Sequence, residues 1–263
     1  FKGGFMKFGY FCNTTNWTHK PYHQLLDETK EITEYCDKNK WNSIWFTEHH
    51  FNHEGMESCT NPLMLGADAA ARTNNIRIGQ AANVITFHNP IRLAEDIATL
   101  DQLSKGRVEV GVARGVYGRE AINLNKEADL KDQAKNFRLF AETLEILKKA
   151  WSEKFFNHDG EFYTYPSPNY VWQHDMSPPS EEFMNMEDST MKKISVLPKP
   201  YQNPHPPIHQ VVDGIRSIEW AAENNINVIM WIPTVKALKI RFEAYKNKRS
   251  EVTKKNVPLG EGV

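Results

Sequence analysis

Six short runs of β-branched and aromatic residues punctuate the chain, and between them apolar residues recur every third or fourth position. The runs lie at Met6 to Cys12, Ser43 to Thr47, Ile76 to Thr86, Arg107 to Val112, Pro207 to Val212 and Asn227 to Ile232, and each reads as a strand. Tyr22, Leu25, Leu26, Ile32 and Tyr35 mark a first helix, and Phe137, Phe140, Ala141, Leu144 and Leu147 mark the fourth with the same beat. Ile215, Ile218, Ala221 and Ala222 give a fifth; Val235, Leu238, Phe242 and Tyr245 give a sixth. Asn61-Pro62 and Asn89-Pro90 each set a capping amide before a proline suited to a first helical turn, so a helix is predicted to start at each. Strand and helix in alternation predict parallel α/β architecture.

One stretch breaks the rhythm. Residues 152–205 are rich in Pro, Asn, Ser and Met, lack periodicity, and exceed the roughly 12–15 residues beyond which plain connections are uncommon. They read as a lid within a single domain spanning 6–263; the alternative is a disordered insertion, favoured by the acidic piece from Pro178 to Asp188. Residues 1–5, ahead of Met6, read as an appended remnant.

Charge removes some classes of partner. With 32 Lys plus Arg against 33 Asp plus Glu, no net field recruits nucleic acid or an anionic membrane, and no local basic patch substitutes for one. Cys12, Cys36 and Cys59 are odd in number and lack C-x-x-C spacing, which predicts free thiols in a cytoplasmic protein. No apolar run reaches the length of a membrane span.

Three clusters could carry chemistry. Trp45-Phe46-Thr47-Glu48-His49-His50-Phe51 runs from an apolar strand into titratable residues, which therefore lie at a strand's carboxyl end, the active-site face when such strands close into a (β/α)₈ barrel. Glu48, His49, His50 and His53 also allow a metal cluster, but the order lacks H-E-x-x-H and the local pattern is strand then loop; a structural histidine pair is a further reading. Gly111-Val112-Ala113-Arg114-Gly115 sets an arginine among small residues, suited to a phosphate or to capping the strand end. Val212-Asp213-Gly214-Ile215-Arg216-Ser217 passes from strand to helix, where free amides attract anions, with Asp213 as a plain helix cap the alternative.

From Asn89 to Gly118 the sequence reads NPIRLAEDIATLDQLSKGRVEVGVARGVYG. With Trp45 to Phe51, Asn61-Pro62 and Pro207 to Ala222, this stretch resembles the luciferase-like flavin-dependent monooxygenases, the family of the bacterial luciferase alpha subunit. The resemblance implies a (β/α)₈ TIM barrel of which this chain lacks the last one or two βα units. It makes His49 the catalytic histidine near the reactive edge of the flavin and His50 its supporting neighbour. Arg114 matches the arginine on the FMN phosphate, and Asp213, Gly214 and Ser217 align with a Glu, a Ser and a Thr of that phosphate site. Ala113 stands where the luciferase has a reactive thiol. Ala81-Ala82, followed by Asn83, matches a non-proline cis pair at the flavin ring.

The implied reaction uses reduced FMN from a separate reductase, since no G-x-G-x-x-G unit for a nicotinamide follows a strand, together with O₂ and a small, mostly apolar organic substrate. Trp17, Phe87, Trp172, Met176, Phe183 and Trp231 are candidates for its pocket, or for packing. A deazaflavin-dependent hydride-transfer enzyme and a non-catalytic subunit are the alternatives. Gly66, Ala67, Ala69, Ala70 and Ala71 on the second helix predict a homo- or heterodimer, or equally packing against the chain's own strands. Val257 to Val263 is expected to open a seventh strand, and by unit count the protein is expected to continue some 60 or more residues past Val263.

Overall fold

A computed structural model describes residues 6–231 and 233–263. Residues 1–5, read as a remnant, and Ile232, the expected end of the sixth strand, lie outside the described residues. In chain order the elements are β1 (Gly9–Cys12), α1 (Tyr22–Lys38), β2 (Ser43–Phe46), α2 (Pro62–Arg72), β3 (Arg77–Gln80), β4 (Asn83–Val84), α3 (Pro90–Ser104) and β5 (Val108–Ala113). There follow α4 (Gly118–Leu124), α5 (Gln133–Ser152), β6 (His158–Asp159), β7 (Thr164–Tyr165), β8 (Ile208–Val211), α6 (Ile215–Glu223), β9 (Asn227–Ile229) and α7 (Val235–Thr253). Short 3-10 turns occupy Ile85–Phe87 and Lys126–Ala128. Both Asn-Pro caps form as expected: the Asn61 amide oxygen accepts from Met64 N–H at 2.9 Å, and that of Asn89 from Ile91 and Arg92 N–H at 3.0 and 3.2 Å.

Two compact units divide the chain. The first comprises residues 6–84, 107–113 and 206–263 and contains the main sheet, ordered β1-β2-β3-β5-β8-β9 with every pairing parallel and β4 beside β5. One face buries Ile44, Phe46, Ile78, Val108, Val110, Val112 and Ile208, the alternation a half-buried strand demands. The opposite face carries Trp45, Gly79, Glu109, Gly111 and His209. The Trp45 ring touches His209 edge-on at 5.2 Å although two strands intervene. A flat sheet would hold them about 14 Å apart, three spacings of about 4.8 Å, so the sheet is strongly curled. Phe11 on β1 and Trp231 just after β9 meet at 5.3 Å, which brings the two edges together at one end.

The sheet is a curled parallel half-barrel. Six strands run in series among the described residues, where a closed (β/α)₈ barrel has eight. The expected seventh strand does not form over residues 257–263: residues 259–262 turn, with Gly260 and Gly262 left-handed at φ +90° and +79°, and Val228 N–H on the β9 edge donates to Gly262 C=O at 2.8 Å. The expected strand from Ile76 to Thr86 is also broken, into β3, β4 and a 3-10 turn. Its hydrophobicity is real, but the Asn83 amide turns inward to donate to Gln80 Oε1 (3.2 Å) and Gly111 C=O (3.1 Å), which sets the chain's course between the two short ladders. Gly66, Ala69 and Ala70 are buried within this chain by the packing of α2 on β2 and β3, while Ala67 is half-buried and Ala71 exposed.

The second unit comprises residues 85–106 and 114–205 and is built on α3 packed against α5, with Trp151 Nε1–H donating to Ala94 C=O at 3.0 Å. Local pairing runs through the stretch 152–205. The β6–β7 hairpin is held because the Glu142 carboxylate accepts from the N–H groups of Glu161, Phe162 and Tyr163 at 2.9–3.1 Å and faces His158 Nε2 at 3.0 Å. Bridges Phe156↔Ile194, Val171↔Thr190 and Met184↔Met191 tie the remainder. Phe183 stacks on Phe155 and meets Trp172 edge-on, so two of the proposed pocket aromatics pack on each other inside this stretch.

Candidate active site

Strand β2 ends at Phe46, and the next four residues, Thr47 to His50, form a polar cluster at the carboxyl end of the sheet, where the sequence placed it. Each residue is anchored within the first unit. Thr47 Oγ1–H donates to Asn13 Oδ1 at 3.1 Å, and His49 N–H donates to Cys59 C=O at 2.8 Å, pinning the strand end to the loop that precedes α2.

Glu48 is buried at 2% exposure, and its carboxylate is spent in two directions. One oxygen faces His50 Nε2 at 3.0 Å; the other accepts from Val84 N–H at 2.7 Å, so the cluster is tied directly to β4. His49 lies beside a second carboxylate, with its Nε2 3.5 Å from Glu57 Oε1 and both side chains largely buried. Two neighbouring histidines thus face two different glutamates. Among the described residues no group of three or more His, Cys, Asp or Glu is arranged to hold a metal ion.

The Ala81–Ala82 peptide bond is cis, as the resemblance implied. Ala81 N–H donates to Phe46 C=O at 2.7 Å, which lays this turn against the end of β2, beside the histidine cluster. A Cβ on Gly111 would fall 1.6 Å from Gln80 O, so β5 passes the Gln80–Ala82 turn at a distance only glycine permits. Asn83 and Gln80, at 1% and 0% exposure, complete a buried polar floor under the alanines.

Glu109 and His209 continue the polar lining of the curled face at 2.7 Å, with Arg77 against the other Glu109 oxygen. Burial pushes the Glu109 carboxyl up, but its bond to His209 and the charges of His209 and Arg77 outweigh that and hold it below its ordinary value. This triad was missed in the sequence because its members sit on three strands and share no spacing. Glu57 was missed for the same reason: a loop position eight residues from His49 carries no periodic signal. All three cysteines are free and buried; burial pushes the Cys59 thiol up to about 12, the state of an inert core residue.

The remaining expected residues are placed as follows. In the first unit, Asp213 is exposed and lies 3.8 Å from Arg241, and Gly214, not Asp213, is the N-cap of α6, which has no side-chain cap. A Cβ on Gly214 would meet nothing within 4 Å. Ser217 N–H is turned back to Gly214 C=O at 3.1 Å, leaving its hydroxyl as the donor this residue can offer a ligand. In the second unit, Arg114 lies over the Phe137 ring at 5.8 Å, and burial lowers its pKa. Among the described residues no carboxylate lies within ion-pair distance of it. A desolvated guanidinium without a carboxylate fits an anionic ligand such as a phosphate.

A family model described as luciferase-like monooxygenase matches residues 6–257. The chain belongs to the luciferase-like monooxygenase family. Its relatives include the oxygenase component of a flavin-dependent trigonelline monooxygenase from Acinetobacter baylyi, 29% identical over 205 residues, which are 78% of this chain and 48% of that protein. The alkanal monooxygenase beta chain of Photorhabdus laumondii is 31% identical over 225 residues, 85% of this chain and 59% of that one. The chain thus spans about half to three-fifths of the length of these relatives. Among solved structures, the oxygenating constituent of 3,6-diketocamphane monooxygenase from Pseudomonas putida, in complex with FMN, shares the fold with a TM-score of 0.76 at 22% identity, covering 94% of this chain and 64% of that one. An F420-dependent secondary alcohol dehydrogenase also shares it, with a TM-score of 0.70 at 17% identity, covering 94% of this chain and 64% of that one. No helix among the described residues is long and apolar enough to cross a membrane.

Proposed function

We propose that this protein is the oxygenase component of a two-component flavin-dependent monooxygenase, using reduced FMN from a separate reductase and O₂ to oxygenate a small, mostly apolar organic molecule. The observation that carries the proposal is the pairing of His49 and His50 with Glu57 and Glu48 at the carboxyl end of β2, tied to the Ala81–Ala82 turn through Val84 and Phe46. Reduced FMN, when bound, supplies the electrons that activate O₂.

Ala81 and Ala82 offer the flavin ring a side-chain-poor backbone surface. Its phosphate is assigned to Arg114, whose guanidinium is desolvated and has no carboxylate within ion-pair distance among the described residues. His49 takes and returns the proton at its ring nitrogen, a task suited to an imidazole. His50 is held by Glu48 and keeps the neighbouring backbone in place.

The test is to load the protein with FMN, photoreduce it, admit air and follow flavin reoxidation and oxygen uptake. His49→Ala is expected to slow the oxygen-dependent step by about 10²–10⁴-fold, the usual contribution of an acid–base group, while FMN affinity is kept. Arg114→Ala is expected to weaken FMN retention instead. Wild-type rates in His49→Ala would overturn the assignment. A hydride-transfer enzyme using a deazaflavin, the reading favoured by the fold shared with the F420-dependent dehydrogenase, predicts reduction of bound F420 by an alcohol without oxygen uptake. A non-catalytic subunit, as the likeness to a beta chain allows, predicts neither.

A further inference from the structure

We infer that Glu57 is the positioning residue of His49, forming with it a carboxylate–imidazole pair that fixes the ring's orientation and its proton. The inference rests on the role proposed above for His49 and adds to it a residue that acts through the histidine.

Three observations carry it. Glu57 Oε1 is 3.5 Å from His49 Nε2, with the two side chains only 15% and 16% exposed, so the contact is shielded from solvent screening. Glu57 Oε2 is buried and has no hydrogen-bond partner among the described residues. A half-satisfied buried carboxylate costs free energy unless a cation or donor faces it, and the His49 imidazole faces it here. Finally, the loop carrying Glu57 is locked onto the histidine's own backbone. His49 N–H donates to Cys59 C=O at 2.8 Å, and the Asn13 amide donates to Met56 C=O at 3.4 Å while its oxygen receives the Thr47 hydroxyl at 3.1 Å.

The chemistry follows from these positions. A carboxylate facing Nε2 selects the tautomer that carries the proton there and leaves Nδ1 as the basic nitrogen. When Nδ1 takes a proton, Glu57 is the counter-charge already in place, with no reorganisation needed. At 3.5 Å the pair is longer than a good hydrogen bond, as such pairs often are before a ligand tightens them. His50 provides an internal contrast, because its Nε2 faces Glu48 instead.

Two measurements test the pair. In flavin-free protein, the ring-nitrogen NMR signals of His49, assigned by their loss in His49→Ala, are expected to move from the Nε2–H pattern toward a tautomer mixture in Glu57→Leu, while those of His50 stay in place. Unmoved His49 signals would overturn the inference, and this arm stands even if the protein proves not to be a monooxygenase. In the second arm, photoreduced FMN is reoxidised in air. Glu57→Gln is expected to slow the step by roughly 10–100-fold without changing FMN affinity, and to add nothing in a His49→Ala background. Losses that multiply in the double variant would assign Glu57 to structure alone. Glu57→Asp, which keeps the charge, is expected to recover part of the rate.

Discussion

Gly111→Ala should be among the most costly single-methyl additions in the sheet. The added Cβ would lie 1.6 Å from Gln80 O and 2.7 Å from its carbonyl carbon, whereas real Cβ contacts respect about 3.0 Å, so backbone must part from backbone by about 1.4 Å. Neither side yields freely. Ala81 N–H is bound to Phe46 C=O at 2.7 Å, β2 and β3 pair from Ser43↔Arg77 to Phe46↔Gln80, and Gly111 is registered against His209 on β8. Parting them also breaks the bond from the buried Asn83 amide to Gly111 C=O. Overpacking of this kind costs about 1–3 kcal/mol, and a buried amide left unsatisfied costs about 1–3 kcal/mol more. The expected loss is therefore about 4 kcal/mol, a large share of the 5–15 kcal/mol typical of a domain. Urea unfolding followed by circular dichroism measures it: at an m-value of about 3 kcal/mol/M the midpoint should fall by on the order of 1 M. Gly118→Ala, where a Cβ meets nothing within 4 Å, is the control and should stay within about 0.5 kcal/mol of the wild type. A Gly111→Ala midpoint equal to that control would refute the close approach of β5 to the Gln80–Ala82 turn.

Glu109 predicts an acid limit to stability. Its folded pKa is depressed, so its contribution is complete above the ordinary glutamate value, about 4.3, and is lost as pH falls through the lower folded value. Urea midpoints should drop across that window in the wild type and less steeply in Glu109→Gln, and parallel curves would contradict the triad. In the second unit, Glu142→Gln should loosen the β6–β7 hairpin, because one carboxylate receives three backbone N–H groups and faces His158. Amide exchange at residues 161–163 should rise at least tenfold, the equivalent of about 1.4 kcal/mol of local opening; unchanged protection there would show that the hairpin holds by other contacts.

Much of this molecule is written locally. The helix starts at Asn61-Pro62 and Asn89-Pro90 form because an amide oxygen, a proline ring and a few following N–H groups suffice, all within four residues. The placement of His49 and His50 at the end of β2 follows in the same way, from an apolar run that stops and a polar one that begins. The first helix shows the limit of such reading. Tyr22 and Tyr35 mark its periodicity yet are exposed, while Thr29 and Thr33 lie on the core face with their hydroxyls returned to carbonyls four residues back. Composition along one segment does not say which face will meet a neighbour.

The run from Ile76 to Thr86 reads as one strand, and its division into β3, a turn and β4 is invisible in it, because the Asn83 amide that sets the turn donates to Gly111 C=O, some thirty residues further on, where only glycine admits the close approach. The same holds for the β6–β7 hairpin, which is held by a carboxylate from α5 that no local pattern announces. By itself the sequence determined the strand and helix order, the caps, the family and the position of the histidine pair, since each rests on contacts between residues near in the chain or on a contiguous motif. Only the tertiary structure decided which glutamate faces which histidine, how tightly β5 passes the Ala81–Ala82 turn, and that Trp45 and His209 touch across a curled sheet. Those distances are set by the twist and curl of six strands acting together, and no residue carries that information alone.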